Sequence, residues 1–403
     1  MQSKLITDRA ALFVGDAAHV GEILAPNSID AIVTDPPAGI SFMGREWDGD
    51  KGGRDAWIEW LAGVLREALR VLKPGGHALV WALPRTSHWT ATAIEDAGFE
   101  LRDIVTHLFG SGFPKSLDVS KALDAAAGVE RDVVGYSDRG VGNSGASLHK
   151  HDGGGLAAHR DKSFAITTPA TPAARQWDGW GTALKPAAEH WILARKPLDG
   201  TVAENVLAWG TGGINVDGCR VPTSDDRTRA NSGRKGSGGV YGDSGLYTSE
   251  SHPGGRWPAN VTLDEHAAEL LDAQAPTGAS RFFYVAKPSR SERDAGCDEL
   301  PARTGGEATG RVDGSAGLKS PRAGAGRGGG ARNYHPTVKS VALMRWLCRL
   351  ITPPGGAVLD LFAGSGTTAV AALAEGLEFV GVERDPDFAE IAHARIKHAL
   401  ESR

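Results

Sequence analysis

The spacing of apolar and polar residues along this chain changes several times, and each change marks a boundary between elements. Leu12-Phe13-Val14 and Ala31-Ile32-Val33 are short unbroken apolar runs that stop at Gly15-Asp16 and Thr34-Asp35, the pattern of buried strands. From Trp57 to Leu72 the spacing turns helical, with Trp57, Trp60, Leu61, Val64, Leu65, Ala68, Leu69 and Leu72 on one face. Lys73-Pro74-Gly75-Gly76 stops that helix, since proline lacks the N–H a helix needs and glycine leaves helical φ/ψ readily. A strand from Ala78 to Trp81, a short helix from Ala91 to Ala97 and a strand from Ile104 to Phe109 follow. This alternation predicts an α/β fold: a doubly wound, mostly parallel sheet with helices on both faces.

The rhythm breaks at Gly110 and returns at His335. Between them lie a helix candidate, Leu117 to Ala127, and a Gly/Ser/His-rich stretch, GVGNSGASLHKHDGGGLAAHR, with too little apolar content to order itself without a partner. A strand reappears at His190-Trp191-Ile192-Leu193-Ala194. Asp199 to Asn333 is Gly- and Arg-rich, with short apolar pieces such as Arg281 to Val285, and Pro321 to Arg332 reads as a linker or loop.

Composition narrows the class only slightly. A length of 403 residues allows two domains or one large core with insertions, and a net charge of -5 argues against wholesale coating of nucleic acid. Cys219, Cys297 and Cys348 are odd in number and far apart, which argues against structural zinc and a disulfide framework. No run approaches membrane-spanning length and MQSKLITDRA is no signal peptide, so a reducing cytoplasm is expected.

The chemistry concentrates in AVLDLFAGSGTTAVAALAEGLEFVGVERD near the C-terminus. A strand, Val358 to Leu361 with Asp360 near its end, runs into Gly364-Ser365-Gly366-Thr367-Thr368 and a helix through Ala374. Glycines let a ligand approach the backbone, and a helix N-terminus offers free N–H groups to an anion. A second strand, Phe379 to Val382, ends in Glu383, roughly 20 residues on, where an acid can bind ribose hydroxyls. The third glycine of a dinucleotide fingerprint is absent, Thr368 standing near its place, which favours S-adenosylmethionine over a dinucleotide; a tight turn without a ligand is the remaining alternative.

A second constellation is TDPPAGI, Thr34 to Ile40. Asp35 ends a strand where open α/β sheets place their ligands. Pro36-Pro37 makes a stiff segment that aims the Asp35 carboxylate and the Pro36 carbonyl at one place, both as acceptors. Such a pair suits an NH2 group: gripping both hydrogens of a nucleobase amine favours a pyramidal nitrogen and directs its lone pair at an incoming methyl. The competing reading is a proline-stiffened loop whose acid caps the next helix.

Together these motifs resemble the DNA amino-methyltransferases that modify adenine N6 or cytosine N4. The family tetrad [DNS]PP[YFW] matches at Asp35, Pro36 and Pro37, and its FxGxGTT loop matches from Phe362 to Thr368, including Gly364, Gly366, Thr367 and Thr368. NYHPTVKS, Asn333 to Ser340, is similar to HPTxKP, which implies that His335 and Lys339 help hold the methionine end of the cofactor. VGDA, Val14 to Ala17, resembles a turn that contacts the cofactor adenine, which implicates Asp16, and EHWILARKP, Glu189 to Pro197, resembles the last sheet strand. The tetrad precedes the loop, which is the order of the beta group, a circular permutation of the Rossmann-like methyltransferase fold.

The resemblance then implies a catalytic half at 1–115, a flexible insertion at 116–186, a last sheet strand at 187–198, a target-recognition region at 199–333 and a cofactor half at 334–403. Arg220, Arg227, Arg229, Arg234 and Arg256, with Trp257, become candidate DNA contacts, although solvated surface arginines fit as well. The sequence departs from the family at Ala38, where an aromatic normally stacks on the flipped base; Phe42 and Trp47 are candidates to replace it, Phe42 first. The expected activity is S-adenosylmethionine-dependent DNA methylation at adenine N6 or, alternatively, cytosine N4. Double-stranded DNA is the expected partner, with room for a homodimer and for a place in restriction-modification. Asp first in the tetrad leans toward adenine. The same chemistry on a protein glutamine or an RNA base, and a DNA-binding module that has lost catalysis, are the weaker alternatives.

Overall fold

The structure is a computed structural model that describes residues 1–41, 46–112, 116–137, 164–223, 225, 229–230, 248–249, 252–275, 278–286, 291–304, 307 and 331–402. The chain divides into two compact units, one formed by residues 1–107 with 189–403 and the other by residues 108–188. In chain order the strands are β1 (Gln2–Ile6), β2 (Ala10–Val14), β3 (Ile29–Thr34), β4 (Leu72–Ala82), β5 (Glu100–Leu108), β6 (Val133–Ser137), β7 (Phe164–Thr167), β8 (Ala188–Arg195), β9 (Arg229–Ala230), β10 (Thr248–Ser249), β11 (Val261–Asp264), β12 (Tyr284–Ala286), β13 (Ala357–Asp360) and β14 (Glu378–Glu383).

The larger unit is built on a sheet in the order β1-β2-β14-β13-β3-β4-β8-β5-β11-β12. Neighbours from β2 through β14, β13 and β3 to β4 run parallel, while β1 against β2 and β4 against β8 run antiparallel. This is the mostly parallel α/β architecture that the periodicity predicts. The last two strands of the chain, β13 and β14, lie between β2 and β3, so the glycine loop and the Asp35 segment leave adjacent strands.

Alternation along the central strands accounts for the layers. Ala31, Val33, Leu79, Leu193 and Val358 face one buried cluster, with the helices Val341–Ile351 and Thr367–Ala374. Ile32, Ala78, Val80, Ile192, Ala194 and Leu359 face the other, with Arg54–Val71 and Ser87–Asp96. Every residue of β3 is buried, because both of its faces are covered by helices.

The expected elements appear with shifted ends, and one boundary differs for a physical reason. The helix stops at Val71, as proline and glycine predict, but Lys73-Pro74-Gly75-Gly76 continues directly as β4 instead of forming a turn. Pro74 has no N–H to give, yet its carbonyl is used: Asn205 Nδ2 and Thr211 Oγ1 donate to it at 2.9 and 2.6 Å. The Gly/Arg-rich span after Asp199 supplies β11 and β12 at one edge of the sheet, which its composition did not suggest.

The smaller unit carries an antiparallel hairpin of β6 and β7 and the helices Val119–Ala126 and Pro172–Gln176. Its buried anchor is Asp124, whose carboxylate accepts from the Ala170 and Thr171 amides at 3.0 Å and from Thr171 Oγ1 at 2.8 Å. The helix Pro172–Gln176 and the hairpin were not evident in the sequence, and the Gly/Ser/His-rich stretch itself lies outside the described residues. Among the described residues, no helix is long and apolar enough to cross a membrane and no cluster of His, Cys, Asp or Glu could hold a metal ion.

Candidate active site

At the end of β13 the chain turns sharply through Gly364 and Gly366, with φ of +53° and +73°, values that L side chains rarely adopt. A Cβ on Gly364 would lie 2.8 Å from His335 Nε2, so the turn has no room for a side chain there. A Cβ on Gly366 would meet Ala392 at 3.1 Å, which explains the close packing of the following helix on Pro386–Glu401. Asp360 ties the turn down: its carboxylate accepts from Thr34 Oγ1 at 2.8 Å, from the Phe362 amide at 3.1 Å and from Thr368 Oγ1 at 2.5 Å. Burial raises its pKa to about 6 against those three donors.

Glu383, at the end of β14, reaches into the same turn. Its carboxylate accepts from the Gly364 amide at 2.7 Å and from the Asp385 amide at 2.8 Å, and burial pushes its pKa to about 7. The Gly15 amide donates to the Glu383 carbonyl at 3.0 Å, which brings the Asp16 turn to the same edge of the sheet. There the Asp16 carboxylate caps a short 3-10 turn by accepting from the Ala18 amide at 3.0 Å.

Asp35 leaves β3 one strand away, and Thr34 connects the two ends. The Thr34 hydroxyl donates to Asp360 and accepts from the Leu361 amide at 3.1 Å, so the residue before the acid is bonded to the start of the glycine loop. Pro36 is buried, and among the described residues nothing donates to its carbonyl. The segment beyond is held by Asp48, which accepts from the Gly39 amide at 3.1 Å, and by Thr86, which donates to the Ala38 carbonyl at 3.2 Å.

The segment His335 to Lys339 spans the two ends. His335 presses on Gly364, and Lys339 Nζ lies 2.9 Å from Asp35 Oδ2, with only 13% and 23% of the two side chains exposed. Burial raises the Asp35 pKa, with Lys339 pulling the other way. For Lys339 burial opposes the charge, and the Asp35 and Glu189 carboxylates together outweigh it and raise its pKa. The His335 ring stands edge-on to Phe388 with centroids 4.5 Å apart, and burial together with the Lys339, Arg293 and Arg395 charges drops its pKa to about 3. It is therefore a neutral imidazole. Arg293 fixes the segment by donating to the Asn333 carbonyl at 3.0 Å and the His335 carbonyl at 2.9 Å.

Asp16, Asp35, Pro36, Pro37, His335, Lys339, Asp360, Phe362, Gly364, Gly366, Thr367, Thr368 and Glu383 thus all fall at the carboxyl ends of β2, β3, β13 and β14, in the last strand residue, the loop or the first turn of the next helix, or on the segment that crosses them. Phe42 lies outside the described residues. So do Arg227 and Arg234; Arg220 and Arg256 are committed to Asp217 and Asp225, and Trp257 is an exposed ring under Arg220. Sequence reading missed Thr34, Arg293 and Arg395. Arg395 is buried, donating to the Ser365 carbonyl at 2.6 Å and to Thr367 Oγ1 at 3.0 Å. An arginine inside an apolar helical stripe (Ile391, Ala392, Ile396) was the available signal for it.

The chain matches the N6/N4 methyltransferase family model, described as DNA methylase, over residues 29–116 and 226–394. Curated relatives include the Type II methyltransferase M.BglI of Bacillus subtilis, 40% identical over 63 residues, which are 16% of this chain and 18% of that protein. The putative methylase YubD of Escherichia coli K12 is 48% identical over 50 residues, 12% of this chain and 22% of that protein. These matches span about a fifth of the relatives' length. Among solved structures, the PvuII DNA methyltransferase (cytosine-N4-specific) aligns over 96% of this chain and 86% of its own, with 13% identity and a TM-score of 0.46. A putative DNA modification methylase of Thermus thermophilus, complexed with S-adenosyl-L-methionine, aligns over 98% and 97%, with 16% identity and a TM-score of 0.40. The two segments of the family model cover well over half of the sequence and contain both the Asp35 segment and the glycine turn, and on that match the chain belongs to the DNA methylase family.

Proposed function

We propose that this protein is an S-adenosylmethionine-dependent DNA methyltransferase that acts on an exocyclic amino group, adenine N6 in preference to cytosine N4. One observation carries the reading: a single five-residue segment touches the glycine turn with His335 and the acid with Lys339, so the two motifs are neighbours although 329 positions separate Asp35 from Gly364.

The residues fit the cofactor. Gly364 leaves backbone bare where a Cβ would strike His335, and the neutral His335 places no positive charge there to repel a sulfonium. Gly364, Gly366, Thr367 and Thr368, with Asp360, Phe362 and His335, would hold its methionine portion, Glu383 its ribose hydroxyls and Asp16 its adenine, whereas the Lys339 ammonium, expected at that methionine end, is paired with Asp35. Glu383 is already anchored by two backbone amides, which leaves lone pairs for hydroxyl donors. When bound, S-adenosylmethionine supplies an electrophilic methyl group on its sulfonium.

The protein's own part is positional and electrostatic. The Asp35 carboxylate and the Pro36 carbonyl accept the two amino hydrogens of the target base and so aim the nitrogen lone pair. Burial gives Asp35 a raised proton affinity, which suits a group that takes the proton after the nitrogen has gained its methyl. In a duplex the amino group is hidden, so the base must be flipped out. The Asp first in the tetrad supports adenine, residues 199–333 are the proposed target-recognition region, and the order of the motifs supports a permuted chain. The likeness to a Type II methyltransferase supports a place in restriction-modification, and the expected location is the cytoplasm.

The test is to incubate DNA with protein and S-adenosylmethionine, digest to nucleosides and identify the product by mass. N6-methyladenine is expected; N4-methylcytosine would replace the base assignment, and methyl transfer to cytosine C5 or to no base would overturn the reading. Asp35→Ala should abolish turnover while leaving cofactor affinity nearly intact, and wild-type turnover in that variant would remove Asp35 from the mechanism.

A further inference from the structure

Ala38 leaves the target base without the ring expected beside the Asp-Pro-Pro segment, and the end of β4 supplies another one. Thr34 pairs with Val80 in parallel register, so Asp35 and Trp81 emerge next to each other from adjacent strands. Lys339 Nζ lies 2.9 Å from the Asp35 carboxylate and 4.3 Å from the centre of the Trp81 ring. The acid and the indole therefore border one spot, and an ammonium group fills it. Trp191, opposite Trp81 across β4 and β8, is fully buried; Trp81 packs against the same core cluster but is only half-buried, which leaves part of its ring open.

We propose that Trp81 is the aromatic face on which the target base stacks, and that Lys339 holds that place until the base arrives. The proposal rests on the function argued above. Lys339 uses the two features the base needs: a carboxylate that accepts N–H hydrogens and a π face that attracts a polarised, flat or cationic partner. An aminated nucleobase offers both complements at once, an NH2 edge and a stacking surface. The Glu189 carboxylate acts on both Lys339 and Asp35 and gives the displaced ammonium a second anion. Trp81 thus contacts substrate, while Lys339 acts as a placeholder for it.

The experiment compares wild type with Trp81→Leu and Trp81→Phe on duplex DNA, in methylation kinetics and in binding to the same duplex carrying 2-aminopurine at the target base. Wild-type methylation is established first; if wild type modifies no DNA, the function fails and not this assignment. Trp81→Leu is expected to lower kcat/KM for DNA by about 5- to 150-fold, the range for losing one base–aromatic stack, with KM for the cofactor unchanged. Trp81→Phe should recover most of that loss. Bound 2-aminopurine should emit more strongly with Trp81→Leu, since no indole stacks on it and quenches it. Leucine kinetics and emission equal to wild type, or a phenylalanine variant as impaired as the leucine one, would overturn the proposal. Should Trp81→Leu fail to fold, Trp81→Met carries the same two measurements.

Discussion

Arg395 offers the sharpest test of how the glycine turn is held. It is 2% exposed, and among the described residues no carboxylate lies within salt-bridge distance of it. Its Nη1 donates to the Ser365 carbonyl at 2.6 Å, Ser365 Oγ at 3.1 Å and Thr367 Oγ1 at 3.0 Å, and its Nη2 to the Glu292 carbonyl at 3.3 Å. Arg395→Met keeps most of the volume and removes every donor. The stranded Ser365 carbonyl, in a residue 3% exposed, costs about 1–3 kcal/mol. The two hydroxyls can rotate to other acceptors, so their loss is smaller, about 1 kcal/mol together.

Relief works in the other direction. Burial lowers the Arg395 pKa and, among the described residues, its Nε has no partner, so removing the guanidinium returns part of a desolvation cost, about 1 kcal/mol. The net expectation is a loss of about 1–3 kcal/mol, read as a lower urea midpoint with an unchanged slope. Because Ser365 lies between Gly364 and Gly366, a turn that must be re-ordered by its ligand should bind S-adenosylmethionine about tenfold more weakly, roughly 1.4 kcal/mol, in a calorimetric titration. Arg395→Lys should fall between, as one ammonium cannot reproduce the planar fork. A methionine variant with the wild-type midpoint and affinity would refute the argument that this arginine orders the turn.

Gly364→Ala combines a positive φ with a Cβ 2.8 Å from His335 Nε2, so it should cost about 1–2 kcal/mol in backbone strain alone and weaken cofactor binding in the same titration. Stability should also depend on pH through the two buried acids. Glu383 titrates at about 7 in the folded chain and near 4.5 unfolded, and Asp360 at about 6 against 3.8. Between those values the folded state binds more protons, so this contribution is largest below the unfolded pKa and is lost as pH rises through 4 to 7, on the order of 3 kcal/mol for Glu383. Urea midpoints of wild type and Glu383→Gln across that range check it: the wild-type midpoint should fall relative to the variant as pH rises, and parallel curves would show that Glu383 is not strained by burial.

What the sequence revealed depended on whether the relevant residues are neighbours along the chain. The turn at Gly364 to Thr368 is legible because an apolar strand, two positive-φ glycines and a helix start follow one another within a dozen positions. The helix Arg54–Val71 is legible because its buried face repeats every three or four residues, Trp57, Leu61, Val64, Leu65 and Ala68. Short edge strands have no such signal: Tyr284–Ala286 spans three residues inside a Gly/Arg-rich stretch and is stabilised by its register with Val261–Asp264. The proline and glycines do end the helix Arg54–Val71, but the immediate start of β4 at Leu72 is not legible, since the groups that donate to the Pro74 carbonyl, Asn205 and Thr211, lie more than 130 positions away.

The site divides along the same line. Asp35 and Glu383 are found from strand ends, since a carboxylate at the carboxyl edge of a parallel sheet already has a ligand-binding position. Their partners are invisible because contact alone defines them. Thr34 looks like the last residue of a strand until Asp360 lies opposite its hydroxyl, and Lys339 looks like one more cofactor contact until its ammonium is found between Asp35 and Trp81. Each of these contacts joins a segment before residue 85 to one after residue 335, and only the insertion of β13 and β14 between β2 and β3 brings those segments together. Chain order therefore hides the polar network but not the motifs it serves: a motif is written by one strand and its loop, whereas the groups that orient it come from whichever strands the sheet makes adjacent.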